Sequence, residues 1–472
     1  MSDGLKFGTS GLRGLASELS GSATRRYVAA FLAHLANSGQ GGFSRVFLAR
    51  DRRESSPAIA ADVAIAVRAA GLVPVDCGIL PTPALALYAM SEGGPAIMIT
   101  GSHIPADRNG LKFYTPEGEI SKADERGILD ALADADVAGG SAGAEDGFAQ
   151  AGDRYRQRYL RFFKTGALQG WRIGVFEHSS VATDHIASIL YRAGADVVRL
   201  GASQTFVPVD TEAFSDATYE PRYGWITANN LDAIVSTDGD GDRPLLIDGE
   251  GHFVRGDVLG LVTSRFLKAD TVVTPVTSNS AIETHGAFGH VERTRVGSPY
   301  VIEGMEQAAQ RGGTVIGFEA NGGTLLGTDT ELDGQKMERL PTRDAVLPLL
   351  CMFATAAGEG KTIAELVASL PMRPALSDRL VDIPTDRSAA MAGRIAGDAA
   401  YAKDFFSGIG DISSIDTRDG PRVTLLSGDV VHYRPSGNAP ELRCYVEGTT
   451  GERADMLLRW GLDAAAKAVR AG

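Results

Sequence analysis

Three similar mixed α/β domains followed by a C-terminal α+β domain is the fold class this sequence predicts, from its length, an internal repeat and a change of pattern near its end. At 472 residues the chain exceeds what one hydrophobic core organises, since single cores stop growing at about 250–300 residues. The repeat reads strand, helix, glycine stop, strand. "RVFLARDRR" (45–53) leads into "AIAADVAIAVRAAG" and then "LVPVDCG"; "RIGVFEHSS" (172–180) leads into "DHIASILYRAG" and "ADVVRLG". A looser copy runs from "TVVTPVTSN" (271–279) through "SAIETHGAFG" to "HVERTRVG" (290–297). Each is the sequence form of a βαβ crossover. Gly71 and Gly194 stand where a helix end takes a left-handed residue, and the Val/Ile-rich runs suit buried parallel strands.

The stretches "ADADVAGGSAGAEDG" (133–147), "DGEGHFVRGD" (248–257) and "ASLPMRPALSD" (368–378) read as linkers. They divide the chain into segments 1–147, 148–250, 251–370 and 371–472. The last segment changes character. Short strands in "RVTLLSGDVVHYRPSGNAPELRCYVEG" (422–448) precede the helical "ERADMLLRWGLDAAAKAVRA".

A formal net charge of −13 argues against nucleic acid and anionic membrane as partners, because both need a basic footprint. An anionic substrate then requires a locally basic cleft. Cys77, Cys351 and Cys444 are widely spaced and form no CxxC pair, which suits a reducing compartment. The start "MSDGLKFGTSGLRG" has no apolar signal core, and no run approaches the roughly 18 apolar residues of a membrane span. The protein reads as soluble, cytoplasmic and unprocessed.

Five segments carry candidate chemistry. In "IMITGSHIPADRNGLKFY" (97–114) an apolar run delivers Ser102 to the carboxyl end of a strand, where α/β sheets place their ligands. His103 and Lys112 are nearby candidates to manage its proton; a turn capped by Ser102 and Asn109 explains the stretch equally well. In "LDAIVSTDGDGDRPLLID" (231–248) a second apolar strand ends in Asp238, Asp240 and Asp242, whose mutual repulsion calls for a hard divalent cation such as Mg²⁺. An EF-hand fails here, because Arg243 takes the place of its glycine and Gly249 that of its glutamate. In "GFEANGG" (317–323) Glu319 and Asn321 can pair with vicinal sugar hydroxyls, although a plain strand-to-loop turn looks much the same. In "RPSGNAPELR" (434–443) Arg434, Ser436, Gly437, Asn438 and Arg443 offer an arginine fork and a backbone nest for an anion, or else an ordinary hairpin. Finally "FGTSGLRG" (7–14) presents Arg13, and "ARDRRESSP" (49–57) a second arginine group that could serve a phosphate. No GxxxxGK[ST], HExxH or GxSxG pattern is present, which removes nucleoside triphosphatase, zincin and α/β-hydrolase readings.

Taken in order, these segments resemble the α-D-phosphohexomutase superfamily, the phosphomannomutases and phosphoglucomutases. "TGSHIPADRNGLK" is similar to that family's phosphoserine loop, "DGDGDR" to its metal loop, "GFEANGG" to its sugar loop and "RPSGNAPELR" to its phosphate loop. The resemblance implies four domains around a central cleft, each lending one loop. It implies that Ser102 carries the phosphoryl group, that Asp238, Asp240 and Asp242 hold a Mg²⁺ that also touches Ser102, and that Lys112, Arg13 and His103 flank the reaction. Arg243, Glu319, Asn321, Arg434, Ser436, Gly437, Asn438 and Arg443 are implied as substrate ligands. Departures are visible too. Asn321 replaces the Ser of related sugar loops, Gly323 stands at the last position where those loops end in His or Gly, Asn438 and Ala439 replace Thr and Glu, and Ser298 stands where some relatives have His.

The expected activity is interconversion of hexose 1- and 6-phosphates, mannose foremost, through a hexose 1,6-bisphosphate that also serves as activator. Phosphoglucomutase or dual-specificity activity is the alternative within enzymes. A non-catalytic phosphosugar-binding protein is the alternative of another class, and a serine-dependent phosphatase, in which water receives the phosphoryl group, is a third. The expected state is a monomer or homodimer with a phosphosugar as its partner.

Overall fold

The first repeat folds as its pattern predicts. In the computed structural model, which describes residues 4–133, 135, 137–211, 219–436 and 440–471, the first sheet is built from strands β1 (Lys6–Phe7), β2 (Leu12–Leu15), β3 (Arg45–Arg50), β4 (Val73–Ile79), β5 (Ala96–Ile99), β6 (Arg108–Thr115), β7 (Gly118–Glu119) and β8 (Glu145–Asp146). Their order is β1-β2-β6-β5-β3-β4-β8, with β7 paired to β6. The βαβ crossover is β3, helix Ser56–Ala69 and β4, with β3 parallel to both β4 and β5. Gly71 ends that helix at φ +77°, a conformation in which a Cβ would be strained. Strand β5 is buried throughout because it lies mid-sheet with helices on its faces. Ile97 and Ile99 pack with Phe31, Leu35, Val63 and Phe113, and burying each isoleucine contributes about 1.5–3 kcal/mol.

Strand β6 returns antiparallel to β5, opposing Met98 to Lys112 and Ile99 to Leu111. The ten-residue spacing between Ser102 and Lys112 is therefore a hairpin: the chain leaves β5, turns, and brings Lys112 back beside it. On its other edge β6 pairs with β2, setting Arg13 opposite Gly110.

The second repeat gives β9 (Arg172–His178), helix Thr183–Arg192 and β10 (Asp196–Ala202), parallel to β9. Strand β11 (Ala233–Thr237) adds to β9 in parallel, and β12 (Pro244–Asp248) and β13 (Phe253–Val254) continue antiparallel, in the order β10-β9-β11-β12-β13. Residues 238–243 are thus the connection of a hairpin whose strands are wholly buried. In the third sheet β14 (Thr271–Pro275) pairs with β16 (Val315–Phe318) through Val273↔Gly317; β15 (His290–Thr294) closes the looser third repeat. Strand β17 (Thr324–Leu326) follows β16, β18 (Thr330–Leu332) and β19 (Gln335–Met337) form a separate hairpin, and β20 (Leu340–Asp344) pairs antiparallel with β17.

The chain forms two compact units, residues 1–273 with 297–369, and residues 274–296 with 370–472. The third repeat is shared between them. The second unit contains an antiparallel sheet in the order β21-β25-β24-β23-β22, built from β21 (Ala375–Leu380), β22 (Ile412–Asp416), β23 (Arg422–Leu425), β24 (Val430–Pro435) and β25 (Leu442–Glu447), followed by helix Gly451–Ala471. Val431, Tyr433, Leu442, Cys444 and Leu457 share its core. All three cysteines are buried with free thiols, and burial pushes those of Cys77 and Cys444 up to about 12. Among the described residues no helix is long and apolar enough to cross a membrane.

Candidate active site

Ser102 sits one turn beyond the end of β5, with φ +55° and almost no exposed surface. A serine in this left-handed region is strained and must be held by its surroundings. Arg53 holds it. Its buried guanidinium donates to the carbonyls of Ser102 (3.0 Å), Ile104 (2.6 Å), Pro105 (2.6 Å) and Arg108 (2.9 Å), and its Nε to Asp51 Oδ2 (3.1 Å). Asp51 also accepts from Thr100 Oγ1 (2.7 Å), whose hydroxyl oxygen in turn accepts from the Ser102 amide (2.8 Å). Arg53 therefore braces the loop from behind, and the phosphate role open to the "ARDRR" arginines is closed to this one. Asn109 donates to Ser55 and Ser56, fastening the base of the same loop.

The Ser102 hydroxyl points out of that loop and donates to Asp238 Oδ2 at 2.5 Å. Asp238, Asp240 and Asp242 are buried, and one carboxylate oxygen from each lies within 4.8 Å of the others. The hairpin turn explains the convergence: the amides of Asp242 and Arg243 bond back to Asp238 Oδ1, and Gly241 takes φ +75°. Burial, reinforced by the two neighbouring carboxylates, pushes Asp238 well above the usual carboxylate range. Burial opposes ionisation of Asp240 and Asp242 too, but Lys112 for the first and Arg343 for the second outweigh it and hold both below that range. Asp240 Oδ1 and Asp242 Oδ1 are buried without a hydrogen-bond partner. Buried acceptors left unpaired are costly, and three converging hard oxygens fit a divalent cation of the Mg²⁺ type.

Lys112 Nζ donates to Asp240 Oδ2 (2.5 Å) and Asp242 Oδ2 (2.6 Å), and Thr82 Oγ1 also donates to Asp240 Oδ2 (2.7 Å). Burial alone would lower the ammonium pKa; the aspartates more than offset it, and the net shift is upward. Lys112 is thus protonated at neutral pH, a cation bridging two of the three aspartates. Arg13 lies in the same field, lowered to about 10 by burial and by Arg243 and Arg343, and its guanidinium makes no hydrogen bond or ion pair with another described residue. His103 Nδ1 accepts from Arg243 Nη1 (3.0 Å) and lies 3.3 Å from Ser102 Oγ. Burial and the two arginines hold it well below the ordinary histidine value, so it is a neutral imidazole whose Nδ1 lone pair is engaged.

Glu319 and Asn321 follow β16 and are both buried. Asn321 Oδ1 accepts from the Gly323 amide (2.9 Å), which shapes the loop. Glu319 Oε2 accepts from Arg343 Nη1 (2.8 Å), a residue that sequence reasoning missed. Arg343 also reaches Asp242 Oδ2 through Nε (3.1 Å) and Nη2 (2.8 Å). Ser10, Thr82 and Glu119 were missed as well. The available signal for Arg343 was an Arg-Asp pair closing the strand-like "RLPTRDAV" just before a helix.

In the second unit β24 and β25 set Arg434 opposite Arg443, and β21 sets Arg379 opposite Arg443. Three arginines thus lie in one cross-strand row, with Glu441 near Arg379 (3.5 Å) and Arg443 (3.9 Å). Arg434 Nε donates to Asp419 Oδ2 (2.8 Å), and the Ser436 amide to the Glu441 carbonyl (2.9 Å). Gly437 and Asn438 lie outside the described residues.

Comparison with known proteins agrees along the chain. Family models for phosphoglucomutase/phosphomannomutase match at residues 4–138 (α/β/α domain I), 255–373 (α/β/α domain III) and 380–458 (C-terminal domain). A phosphomannomutase of Sinorhizobium fredii is 48% identical over 467 residues, covering 97% of this chain and 98% of the relative. A phosphomannomutase of Salmonella muenchen is 43% identical, covering 96% and 93%. The solved structure of a phosphoglucomutase/phosphomannomutase family protein from Burkholderia thailandensis superposes with a TM-score of 0.75 at 21% identity, covering 98% of this chain and 97% of that one, a likeness of fold.

Proposed function

The chain belongs to the phosphoglucomutase/phosphomannomutase family, and on that premise we propose that it interconverts mannose 1-phosphate and mannose 6-phosphate through a phosphorylated Ser102. The observation that carries this reading is the 2.5 Å bond from Ser102 Oγ to Asp238, inside a buried aspartate cluster that Lys112 bridges. The sugar assignment rests on the two phosphomannomutase relatives. The division into segments 1–147, 148–250, 251–370 and 371–472, and a cytoplasmic setting, belong to the same reading.

In the forward half-reaction the bond from phosphorus to Ser102 Oγ breaks as a bond to the sugar hydroxyl forms. The hydroxyl proton leaves and Ser102 Oγ regains one, with Lys112 as the acid/base of that exchange. Asp238, Asp240 and Asp242 would hold Mg²⁺, which when bound supplies positive charge to the transferring phosphoryl group. Arg13 and Arg243 add fixed cations, with His103 ordering Arg243. Glu319 and Asn321 read sugar hydroxyls, while Arg434, Ser436, Gly437, Asn438 and Arg443 hold the phosphate that is not in transfer. The resulting 1,6-bisphosphate turns around and returns its other phosphoryl group to Ser102, so added bisphosphate acts as activator. A serine this deeply enclosed favours transfer to sugar over transfer to water.

The test is a coupled assay of mannose, glucose and glucosamine 1-phosphates with and without bisphosphate, on wild type and Ser102→Ala. Mannose turnover that Ser102→Ala abolishes, with the circular dichroism spectrum unchanged, is expected. Undiminished mannose 6-phosphate formation by that variant would sink the nucleophile assignment.

A further inference from the structure

Arg343 is among the largest fully enclosed side chains of the protein, and each of its guanidinium N–H groups has an acceptor. Nε and Nη2 reach Asp242 Oδ2, Nη1 reaches Glu319 Oε2, and the remaining donors reach Ser10 Oγ (3.2 Å) and Ser298 Oγ (3.3 Å). Those serines are oriented in turn, since both donate their protons to Glu119 Oε1 (2.8 and 2.7 Å) and so present lone pairs to Arg343. Burial alone would lower its pKa; Asp242, Glu319 and Glu119 more than offset this, and the cation is permanent.

The backbone that carries Arg343 is fastened on both sides. Thr342 Oγ1 meets the Tyr114 hydroxyl at 3.4 Å. Asp344 accepts from Tyr155 (2.8 Å) and Tyr159, which project from helix Phe148–Phe162, and from the Val346 amide (3.0 Å). The stem is fixed as well. A methyl group at position 323 would lie 2.7 Å from Arg343 Cδ and 2.9 Å from Cγ, so only glycine leaves room for it.

We infer that Arg343 is the positioning residue of the sugar loop: it ties Glu319 Oε2 to the aspartate cluster through Asp242 and thereby leaves Glu319 Oε1, which has no partner among the described residues, aimed at the sugar hydroxyls. The inference rests on the mutase reading of this site. Arginine is required because one planar fork must serve two carboxylates and two hydroxyls at once, which the single ammonium of lysine cannot do. Arg343 itself is too enclosed to touch substrate, so its effect on affinity passes through the groups it holds, and a cycle with Glu319 at saturating Mg²⁺ separates the sugar loop from Asp242.

The experiment is a double-mutant cycle on the full chain, reading KM and kcat for mannose 1-phosphate at saturating Mg²⁺ and bisphosphate. Arg343→Lys is expected to raise KM at least tenfold. In a Glu319→Gln background, where the carboxylate to be positioned is gone, the same substitution should change KM by less than about twofold. Gly323→Ala, which presses on the arginine stem and keeps its charge, gives a second cycle should Arg343→Lys fold poorly; its KM increase should likewise shrink in the Glu319→Gln background. Effects on KM that multiply independently, or a lowered melting temperature with KM unchanged, would overturn the inference and leave Arg343 a purely structural cation. Wild type that converts no hexose phosphate at all would refute the mutase reading and this inference together, an outcome distinct from an active wild type whose variants behave additively.

Discussion

Replacing Arg53 by methionine strips the Ser102 loop of its buried fork. Four carbonyl groups between Ser102 and Arg108 lose a charged donor, and Asp51, whose carboxyl burial already pushes up, loses its counter-ion. Breaking a buried pair by removing one partner costs about 3–5 kcal/mol. The damage is local, because the fork's acceptors all lie within one loop and the strand end behind it. At about 1.4 kcal/mol per factor of ten, the loop should open roughly a hundred to a few thousand times more often. Hydrogen exchange read by mass spectrometry on peptides spanning residues 97–112 measures this directly, since the Ile104 and Arg108 amides are bonded within the loop. Relaxation of Ser102 away from φ +55° should move its hydroxyl off Asp238, and a displacement of about 1 Å is worth about a hundredfold in kcat. Arg53→Lys, which keeps the charge and loses the fork, should fall between. Exchange within about threefold of wild type in Arg53→Met would refute the claim that this arginine holds the loop, whatever happened to kcat.

Asp240→Asn should weaken Mg²⁺ binding, measured by calorimetry on the unliganded protein, by at least about the 10- to 100-fold that loss of a mere supporting group costs a metal site; an unchanged isotherm would count against the triad as a cation site. Gly239→Ala should place a methyl 2.9 Å from the Ser102 carbonyl and 2.8 Å from the Phe206 ring, costing about 1–3 kcal/mol in overpacking and lowering both melting temperature and kcat. For pH, burial lowers His178, His185 and His432 to about 4 from an ordinary 6.5, so each stays neutral in the fold while it protonates readily when unfolded. The stability each contributes is complete above 6.5, declines as pH falls, and is lost by about 4, amounting to about 3 kcal/mol per histidine at most. Urea unfolding midpoints at pH 7 and pH 5 should show that decline, and His432→Gln should flatten part of it.

Much of the site is legible because its parts are local. An apolar run that ends in Ser102, and another that ends in three aspartates spaced by glycine, place those side chains at strand ends whatever the tertiary details. The return of Lys112 follows from hairpin geometry alone. Arg343 is different: nothing in "LPTRDAV" reveals that β20 will pair with β17, and only that pairing brings the arginine between Asp242 and Glu319. Arg53 misleads for a related reason, since an arginine in a polar segment looks like a phosphate ligand until the folded loop presents it with carbonyls. The arginine row of Arg379, Arg443 and Arg434 depends on strand register, which a one-residue slip would abolish.

Arg343 reaches Asp242 across 101 positions of the chain and Ser10 across 333, and Lys112 reaches Asp240 across 128. A ribosome delivers the aspartates about 100 residues before the arginine, so during synthesis the cluster has Lys112 and Arg243 but not the cation that closes it against Glu319. Carboxylates resist leaving water until their partners arrive, and contacts of such long range form slowly because loop-closure entropy precedes any gain. The first unit thus closes its aspartate cluster with a residue that arrives late in the chain, Arg343, which also bonds Glu319 of the loop after β16, so a chain interrupted before position 343 lacks that closing cation.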